Sequence, residues 1–208
     1  MKKLLDGLVA FRRKDFEAHR DLFMDLKSEQ KPHTLFIACS DSRVDPNLIT
    51  GTLPGELFII RNIANLIPPY RNTPEYVSTT SAIEYAVLSL GVEQIIVCAH
   101  SNCGGCAACL KPSSFLDDLP HTQKWLELAH PVRDRVLQEI PENEPEAREW
   151  MMEQANAVEQ VKHLMSYPYI AQRVDSGTMS LQCWHYIIET GEVYIYDSTA
   201  GAFLLANE

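Results

Sequence analysis

The stretch TLFIACSDSR, residues 34–43, begins with a short apolar run and ends in polar side chains. Two further apolar runs follow at residues 57–60 and 94–98. Short runs that are apolar throughout are typical of strands buried on both faces of a parallel sheet. Between the second and third runs, residues 76–90 repeat apolar side chains at helical spacing, and Gly91 can end the helix. This order predicts an α/β fold with a mostly parallel central sheet flanked by helices.

The two ends of the chain add elements outside this pattern. Residues 3–27 carry apolar side chains at helical spacing, which predicts an amphipathic helix, and Pro145 begins a second long helical pattern. Later in the chain, residues 181–188 and 193–196 flank the turn-forming stretch 189–192. They predict a C-terminal antiparallel hairpin at an edge of the sheet. The sequence shows no internal repeat and no second domain, so a single domain over residues 1–208 is expected.

The charge of the chain excludes several classes of partner. Among the 208 residues, 18 Lys and Arg stand against 28 Asp and Glu, which gives a formal net charge of −10. An acidic chain with only short basic runs is poorly suited to bind nucleic acid or an anionic membrane. No uncharged apolar run approaches the ~20 residues that a membrane-spanning helix requires.

The first residues, MKKLLDGLVAFRRKDF, differ from a secretory signal peptide. Asp6 interrupts the short apolar stretch, and Arg12, Arg13 and Lys14 follow where a cleavage site would need small residues. We therefore expect a cytoplasmic protein. In that compartment the six cysteines are expected to be reduced thiols or metal ligands.

Reactive side chains are concentrated in two segments that directly follow predicted strands, CSDSR at 39–43 and HSNCGG at 100–105. Open α/β sheets place their sites at the carboxyl ends of parallel strands, so neighbouring strands would bring Cys39, His100 and Cys103 together. Two thiolates and one imidazole suit zinc, and three protein ligands leave a fourth position open, as in a catalytic site. Asp41 can accept a hydrogen bond from water, while Arg43 can hold Asp41 through a bidentate pair.

Three other interpretations of these residues stay open at this point. Cys103, Cys106 and Cys109 have the C-x-x-C-x-x-C spacing of iron–sulfur proteins, although the fourth cysteine followed by proline is missing. A Ser or Cys hydrolase is a second alternative, but the sequence has no G-x-S-x-G motif. A structural or redox zinc protein is the third, and it would need neither Asp41 nor Arg43. The remaining histidines are predicted to be surface or packing residues: His19, His33, His121, His130, His163 and His185.

Five motifs make the sequence similar to one known family: CSDSRVDP at 39–46, PGELFIIRNIANLIPPY at 54–70, SAIEYAVLSLGV at 81–92, HSNCGG at 100–105 and, more weakly, WHYIIETGEVY at 184–194. In these motifs the chain resembles the β-class carbonic anhydrases, and the last motif looks most like enzymes of the campylobacter and helicobacter group. The resemblance implies that residues 1–29 form an N-terminal helical arm that embraces a second subunit. Residues 30–208 would form the zinc-binding α/β core.

The resemblance also implies an activity and a set of site residues. The activity is that of a zinc lyase, carbonate dehydratase, in which zinc-bound hydroxide reversibly hydrates carbon dioxide to bicarbonate and a proton. One Zn²⁺ per chain would be held by Cys39, His100 and Cys103, with Asp41 and Arg43 as the catalytic dyad that orients the nucleophile. The implied carbon dioxide pocket consists of Gln30, Phe58, Ile63, Tyr85 and Gly104. The active site would lie near the interface of a homodimer, or of a homotetramer built as a dimer of dimers.

Overall fold

The structure is a computed structural model that describes residues 1–73, 75 and 77–206. It divides into two compact units, Met1–Lys31 and a second unit that begins at Pro32. No helix within the described ranges combines the length and the apolar character needed to cross a membrane.

The first unit contains three short helices, α1 (Lys2–Arg13), α2 (Asp15–Ala18) and α3 (Arg20–Leu26). The prediction of one helix over residues 3–27 is wrong, because the backbone leaves the helical conformation at Lys14 and again at His19. These breaks let Phe11, Phe16 and Phe23 pack as a cluster with ring centroids 5.1 to 6.4 Å apart. Much of the apolar surface of α1 remains exposed, including the side chains of Leu4, Leu5 and Leu8.

The second unit is built on one sheet of six strands, counted over the described residues. The strands are β1 (Thr34–Cys39), β2 (Leu57–Asn62), β3 (Gln94–His100), β4 (Ser180–Tyr186), β5 (Val193–Asp197) and β6 (Ala202–Leu205). Their order is β2-β1-β3-β4-β5-β6. The first four strands are parallel, and β5 and β6 are antiparallel to their neighbours. The predicted parallel sheet and C-terminal hairpin are confirmed, and β6 is an additional strand.

Every residue of β1 is buried, because the strand has neighbours on both sides and packed layers on both faces. Leu35 and Ile37 belong to the cluster on one face. Phe36 and Ala38 belong to the cluster on the other face, where the Phe36 ring meets the edge of Trp184 with centroids 5.8 Å apart. The side chains of β1 therefore alternate between the two faces of the sheet.

Helices of the second unit cover the sheet and connect its strands. They are α4 (Pro46–Thr50), α5 (Ser78–Glu84), α6 (Gly104–Leu110), α7 (Pro120–Leu126), α8 (His130–Glu139), α9 (Pro145–Met165) and α10 (Pro168–Asp175). The helix predicted over residues 76–90 is α5 followed by a π-helical turn, Tyr85–Ser89. Its predicted first residue, Tyr76, lies outside the described residues. The long helix predicted from Pro145 is confirmed, and it packs on α6, β3 and β4.

The strand order creates a crevice at the carboxyl ends of β1 and β3. After β1 the chain crosses to β2 on one side, and it then passes back to β3 on the other side of β1. Open α/β sheets bind ligands at such reversals, because the loops that follow the two strands diverge there. Cys39 ends β1 and His100 ends β3, so the reactive segments 39–43 and 100–105 emerge together at this point.

Candidate active site

Three metal-binding side chains converge at this crevice. The ligand atoms of Cys39, His100 and Cys103 all lie within 4.8 Å of one another, and all three residues are buried. The two sulfur atoms are 3.9 Å apart. Two sulfurs that each bind the same tetrahedral zinc at about 2.3 Å would be about 3.8 Å apart. The spacing of the thiols therefore matches the requirement of one zinc ion.

The ring of His100 is oriented for metal binding by its own loop. Its Nδ1 lies 2.9 Å from the carbonyl oxygen of Ser101, and because a carbonyl only accepts, Nδ1 carries the hydrogen. Nε2 is then left with a lone pair, and this buried atom has no hydrogen-bond partner among the described residues. Ligating histidines usually donate their other ring nitrogen in this way. An orphaned lone pair beside two thiols fits a zinc ion.

The protonation state of the thiols links metal binding to proton release. The hydrogen bond between Cys39 and Cys103, together with burial, raises the pKa of Cys39 to about 12. In the absence of a cation the Cys39 thiol is therefore neutral at physiological pH. Because metals bind thiolates, uptake of a cation must displace protons from the site.

Asp41 and Arg43 form a close ion pair beside the ligands. The Asp41 carboxylate accepts hydrogen bonds from the backbone N–H and the Nε of Arg43 at 2.9 Å, and from Nη2 at 2.7 Å. These bonds hold the pKa of Asp41 well below its usual range. Oδ2 of Asp41 lies 3.9 Å from Nε2 of His100. An ionised carboxylate therefore faces the metal-binding cluster.

The same ion pair connects the two loops of the site. Nη2 of Arg43 also donates to the carbonyl of Asn102 at 3.0 Å. Asn102 lies in the loop after β3, between His100 and Cys103, and it has a left-handed backbone with φ of 56°. Arg43 thus fixes the loop that carries Asp41 against the loop that carries two of the metal-binding residues.

A second arginine supports the site, and the sequence analysis does not single it out. Arg61 on β2 donates from Nε to the carbonyl of Cys39 at 3.0 Å and from Nη2 to the carbonyl of Asp41 at 2.5 Å. Its signal in the sequence is a charged residue at the end of an otherwise apolar strand. The parallel pairing of β1 with β2 brings that charge beside the Cys39 loop.

Two of the residues predicted for a substrate pocket lie at this centre. Gly104 is the first residue of α6 and directly follows Cys103. Ile63 lies against Gly105, because a Cβ built on that glycine would be 3.0 Å from the Ile63 Cγ2 atom. Ile63 also lines a cavity of about 580 Å³ together with Ser40, the neighbour of Cys39.

The other predicted pocket residues lie elsewhere in the chain. Phe58 and Tyr85 pack together with ring centroids 6.0 Å apart. In the register of β1 and β2, Phe58 is opposite Leu35, and Cys39 lies four residues further on, about 13 Å along the strand. Gln30 is exposed and belongs to the first unit. Within the second unit, the pair of Phe58 and Tyr85 is therefore separate from Ile63 and Gly104.

Cys106 and Cys109 do not join the metal-binding cluster. The Sγ of Cys106 lies 4.0 Å from the Nδ2 of Asn156, and the Sγ of Cys109 lies 4.0 Å from the carbonyl of Leu126. Among the described residues, the group that could hold a metal includes neither thiol. The geometry therefore favours a site with three protein ligands over an iron–sulfur cluster.

Comparisons with known proteins agree with the fold and the cluster. A family model described as "Carbonic anhydrase" matches residues 34–193. A carbonic anhydrase of Helicobacter pylori is 41% identical over 195 residues, which covers 92% of this chain and 88% of that protein. A carbonic anhydrase of Synechocystis is 44% identical over 206 residues, which covers 98% of this chain and 74% of that protein.

Solved structures give the same answer at the level of the fold. The β-carbonic anhydrase CcaA superposes with a TM-score of 0.93 at 42% identity, and the match covers 99% of both chains. Tetrameric β-carbonic anhydrases of the ascomycete Sordaria macrospora superpose with a TM-score of 0.78 at 29% identity, over 93% of this chain and 95% of theirs.

With this fold, this cluster and these relatives, the chain belongs to the β-class carbonic anhydrases. The prediction that it is an enzyme of the carbonate dehydratase class is confirmed with the family. The predicted likeness to the helicobacter enzymes is also confirmed, and the cyanobacterial relatives share a similar degree of identity.

Proposed function

We propose that this protein reversibly hydrates carbon dioxide to bicarbonate and a proton, using one Zn²⁺ per chain held by Cys39, His100 and Cys103. The observation that carries the proposal is the orphaned Nε2 of His100 beside two thiols 3.9 Å apart, with the Asp41 carboxylate facing them. When bound, zinc supplies Lewis acidity that lowers the pKa of a water molecule toward neutrality.

Asp41 supplies the orienting group for the reaction. Because its pKa is held well below the usual range, the carboxylate is ionised at physiological pH and only accepts hydrogen bonds. It therefore accepts a hydrogen bond from the attacking oxygen and leaves a lone pair of that oxygen directed at the carbon of carbon dioxide. One proton must leave the site for each bicarbonate formed.

Arg43 has the complementary role of holding Asp41 in place. Its three hydrogen bonds engage both carboxylate oxygens, so Asp41 is kept from turning toward the position proposed for the zinc ion. A purely structural zinc site would require neither residue. The presence of the complete pair therefore favours a catalytic site over a structural or redox zinc protein.

We assign the substrate pocket to Gln30, Phe58, Ile63, Tyr85 and Gly104. Ile63 and Gly104 act from the same chain as the ligands, since Gly104 directly follows Cys103 and Ile63 lies against Gly105. Phe58 and Tyr85 form a pair about 13 Å from Cys39 along the sheet, so they contribute to a pocket only in an assembly. Apolar walls of this kind suit an uncharged, linear substrate.

This division supports a homodimer, or a dimer of dimers, as the working form. The tetrameric relatives from Sordaria macrospora are consistent with such an assembly. The exposed apolar side chains of α1 support the role of residues 1–29 as an arm on a second subunit, with residues 30–208 as the core. The six free, buried cysteines and the acidic charge support a cytoplasmic location.

The test is stopped-flow carbon dioxide hydration on protein with a measured metal content. We expect one zinc per chain and fast hydration that is lost on chelation and restored by zinc. Because two thiolates donate charge to the metal, the rate should be higher near pH 9 than near pH 7. Cys103→Ser should lose both zinc and activity, whereas Cys183→Ser, a buried cysteine outside the cluster, should keep both. Full activity of Cys103→Ser would refute the proposal.

A further inference from the structure

A buried carboxylate lies directly behind the cluster, on the long helix α9. Glu153 is only 2% exposed. Its Oε1 accepts a hydrogen bond from the backbone N–H of Cys103 at 2.9 Å, and its Oε2 lies 3.2 Å from Nε2 of His185. A carboxylate is costly to bury unless its oxygens are paired, so these two partners account for its tolerance in the core.

The hydrogen bonds around His185 have a defined direction. The Nε2 amide of Gln154, which can only donate, lies 3.3 Å from Nδ1 of His185, so Nδ1 accepts. Nε2 of His185 then carries the hydrogen and donates it to Glu153. The hydrogen bonds therefore run from Gln154 through His185 to Glu153, and the Cys103 N–H is the second donor to the same carboxylate.

The packing around His185 holds this arrangement rigid. His185 is fully buried on β4, and its ring meets Trp150 edge-on at 4.8 Å and Phe203 at 6.0 Å. In the sheet, His185 pairs with Ala99, the residue before His100. The ring therefore has little freedom to move away from Glu153.

Cys103 lies in a stretch of backbone that needs such an anchor. It precedes the first residue of α6, between Asn102 in a left-handed conformation and the pair Gly104 and Gly105. Glycines give the backbone wide conformational freedom. The hydrogen bond from the Cys103 N–H to Glu153 ties this backbone to helix α9.

We propose that Glu153, buttressed by His185, is a positioning residue for the metal ligand Cys103. It fixes the backbone of Cys103 so that the thiolate faces Cys39 and His100, and it acts on the metal only through that ligand. The inference rests on the proposed function, since it takes Cys103 as a zinc ligand. Loss of groups that orient ligands typically costs about 10- to 100-fold in metal affinity.

The test measures the rate at which folded protein releases zinc to an excess of a chromogenic chelator. Glu153→Met removes both acceptors while filling a similar space, and we expect about 10- to 100-fold faster release. Glu153→Gln keeps one acceptor for the Cys103 N–H, so its release rate should lie between those of Glu153→Met and the wild type. Glu159→Gln is the control, because Glu159 lies on the same helix and pairs with Lys162 at the surface.

A second pair of variants tests the support that His185 gives to Glu153. It also keeps the inference testable if Glu153→Met fails to fold. His185→Leu should speed zinc release, whereas the amide of His185→Gln can donate to Glu153 and should restore a slow rate. The thiolate-to-metal absorption of cobalt-substituted protein should shift in His185→Leu and return in His185→Gln. A purely structural role would change the free energy of unfolding without changing this spectrum.

The outcomes separate the inference from the proposed function. If the wild-type chain binds no stoichiometric zinc, both are wrong. If the wild type binds zinc but the Glu153 and His185 variants release it as slowly as Glu159→Gln, only the positioning role is wrong. The positioning role is also wrong if release in each variant occurs only at its rate of global unfolding.

Discussion

The guanidinium of Arg61 supports the backbone of Cys39 from the neighbouring strand, with Nε 3.0 Å from the Cys39 carbonyl. The same side chain holds the Asp41 carbonyl two residues later. One cation on β2 thus sets the path of the loop between the Cys39 thiol and the Asp41 carboxylate, for which we propose a catalytic role. Two carbonyls fixed by one planar group form an arrangement that lysine cannot reproduce.

We expect Arg61→Met to keep zinc and to lower turnover by about tenfold or more, because losing two charge-assisted hydrogen bonds frees the Asp41 loop. Metal analysis and stopped-flow hydration measure the two effects. Arg148→Met is the control, because Arg148 supports a single backbone carbonyl, that of Ile140, in the loop before α9. Turnover equal to that of the control would argue against the support role of Arg61.

Asp41→Asn should retain zinc and lower turnover by about 100-fold, the scale seen when one group that orients or stabilises a reacting centre is removed. The amide fills the same space, but it no longer accepts hydrogen bonds at both positions. The control is Asp45→Asn in the same loop, where Asp45 caps α4 by accepting from the N–H of Leu48. Asparagine is as good a cap, so activity should be unchanged there.

Two adjacent glycines after Cys103 provide a matched test of packing at the site. A Cβ on Gly105 would lie 2.9 Å from the Cβ of Ala64 and 3.2 Å from its backbone nitrogen, whereas a Cβ on Gly104 would meet nothing within 4 Å. We expect Gly105→Ala to destabilise the fold by about 1–3 kcal/mol through overpacking. Gly104→Ala should be neutral or stabilising by up to about 1 kcal/mol, because alanine favours a helix.

Urea unfolding of both alanine variants at saturating zinc measures these differences. Equal stabilities of the two variants would show that α6 can shift away from Ala64 without cost. Because Ala64 itself has a left-handed backbone with φ of 59°, its segment has little freedom to yield.

Burial of Cys183 predicts a specific dependence of stability on alkaline pH. Burial raises the pKa of this thiol to about 12, above its ordinary value in an unfolded chain. A raised folded-state pKa means that the stabilising contribution is present below the unfolded pKa of about 8.5 and is lost as pH rises toward 12. Between these values the wild type should lose up to about 1.4 kcal/mol per pH unit more than Cys183→Ala.

The comparison uses urea unfolding from about pH 8 to about pH 11, where the other titrating groups are common to both proteins. The alanine variant is less stable at neutral pH because a buried atom is removed, but this loss does not depend on pH. Parallel curves for the two proteins would show that the Cys183 thiol ionises as freely in the fold as in the unfolded chain.

Periodicity and strand-end chemistry were sufficient to predict the parallel sheet and the meeting of Cys39, His100 and Cys103. Cys39 and His100 end buried strands, Cys103 follows the second of these strands, and the strand order brings the two ends together. Such signals are local in sequence, and the parallel pairing of β1 with β3 brings the residues that carry them close together. The same local reasoning fails for the first helix, because apolar spacing does not reveal the breaks at Lys14 and His19 that let three phenylalanines pack together.

The groups that support the ligands were not predictable by pattern. The apolar period of α9 points to residues such as Val158 and Val161, which are partly buried. The most deeply buried face of that helix also carries the polar residues Glu153, Asn156 and Gln160. A polar side chain on a buried face has no periodic signature, because its partners come from distant backbone groups that only the folded chain supplies.

The direct pairing of β1 with β3 makes the metal centre sensitive to how the sheet assembles. A slip of one residue between these strands would turn Cys39 to the opposite face, away from His100. The strands are separated by more than fifty residues of chain, including all of β2 and α5, so their contact forms late relative to local helices. Stable zinc uptake by a newly made chain would thus mark the moment at which the central strands have reached their native alignment.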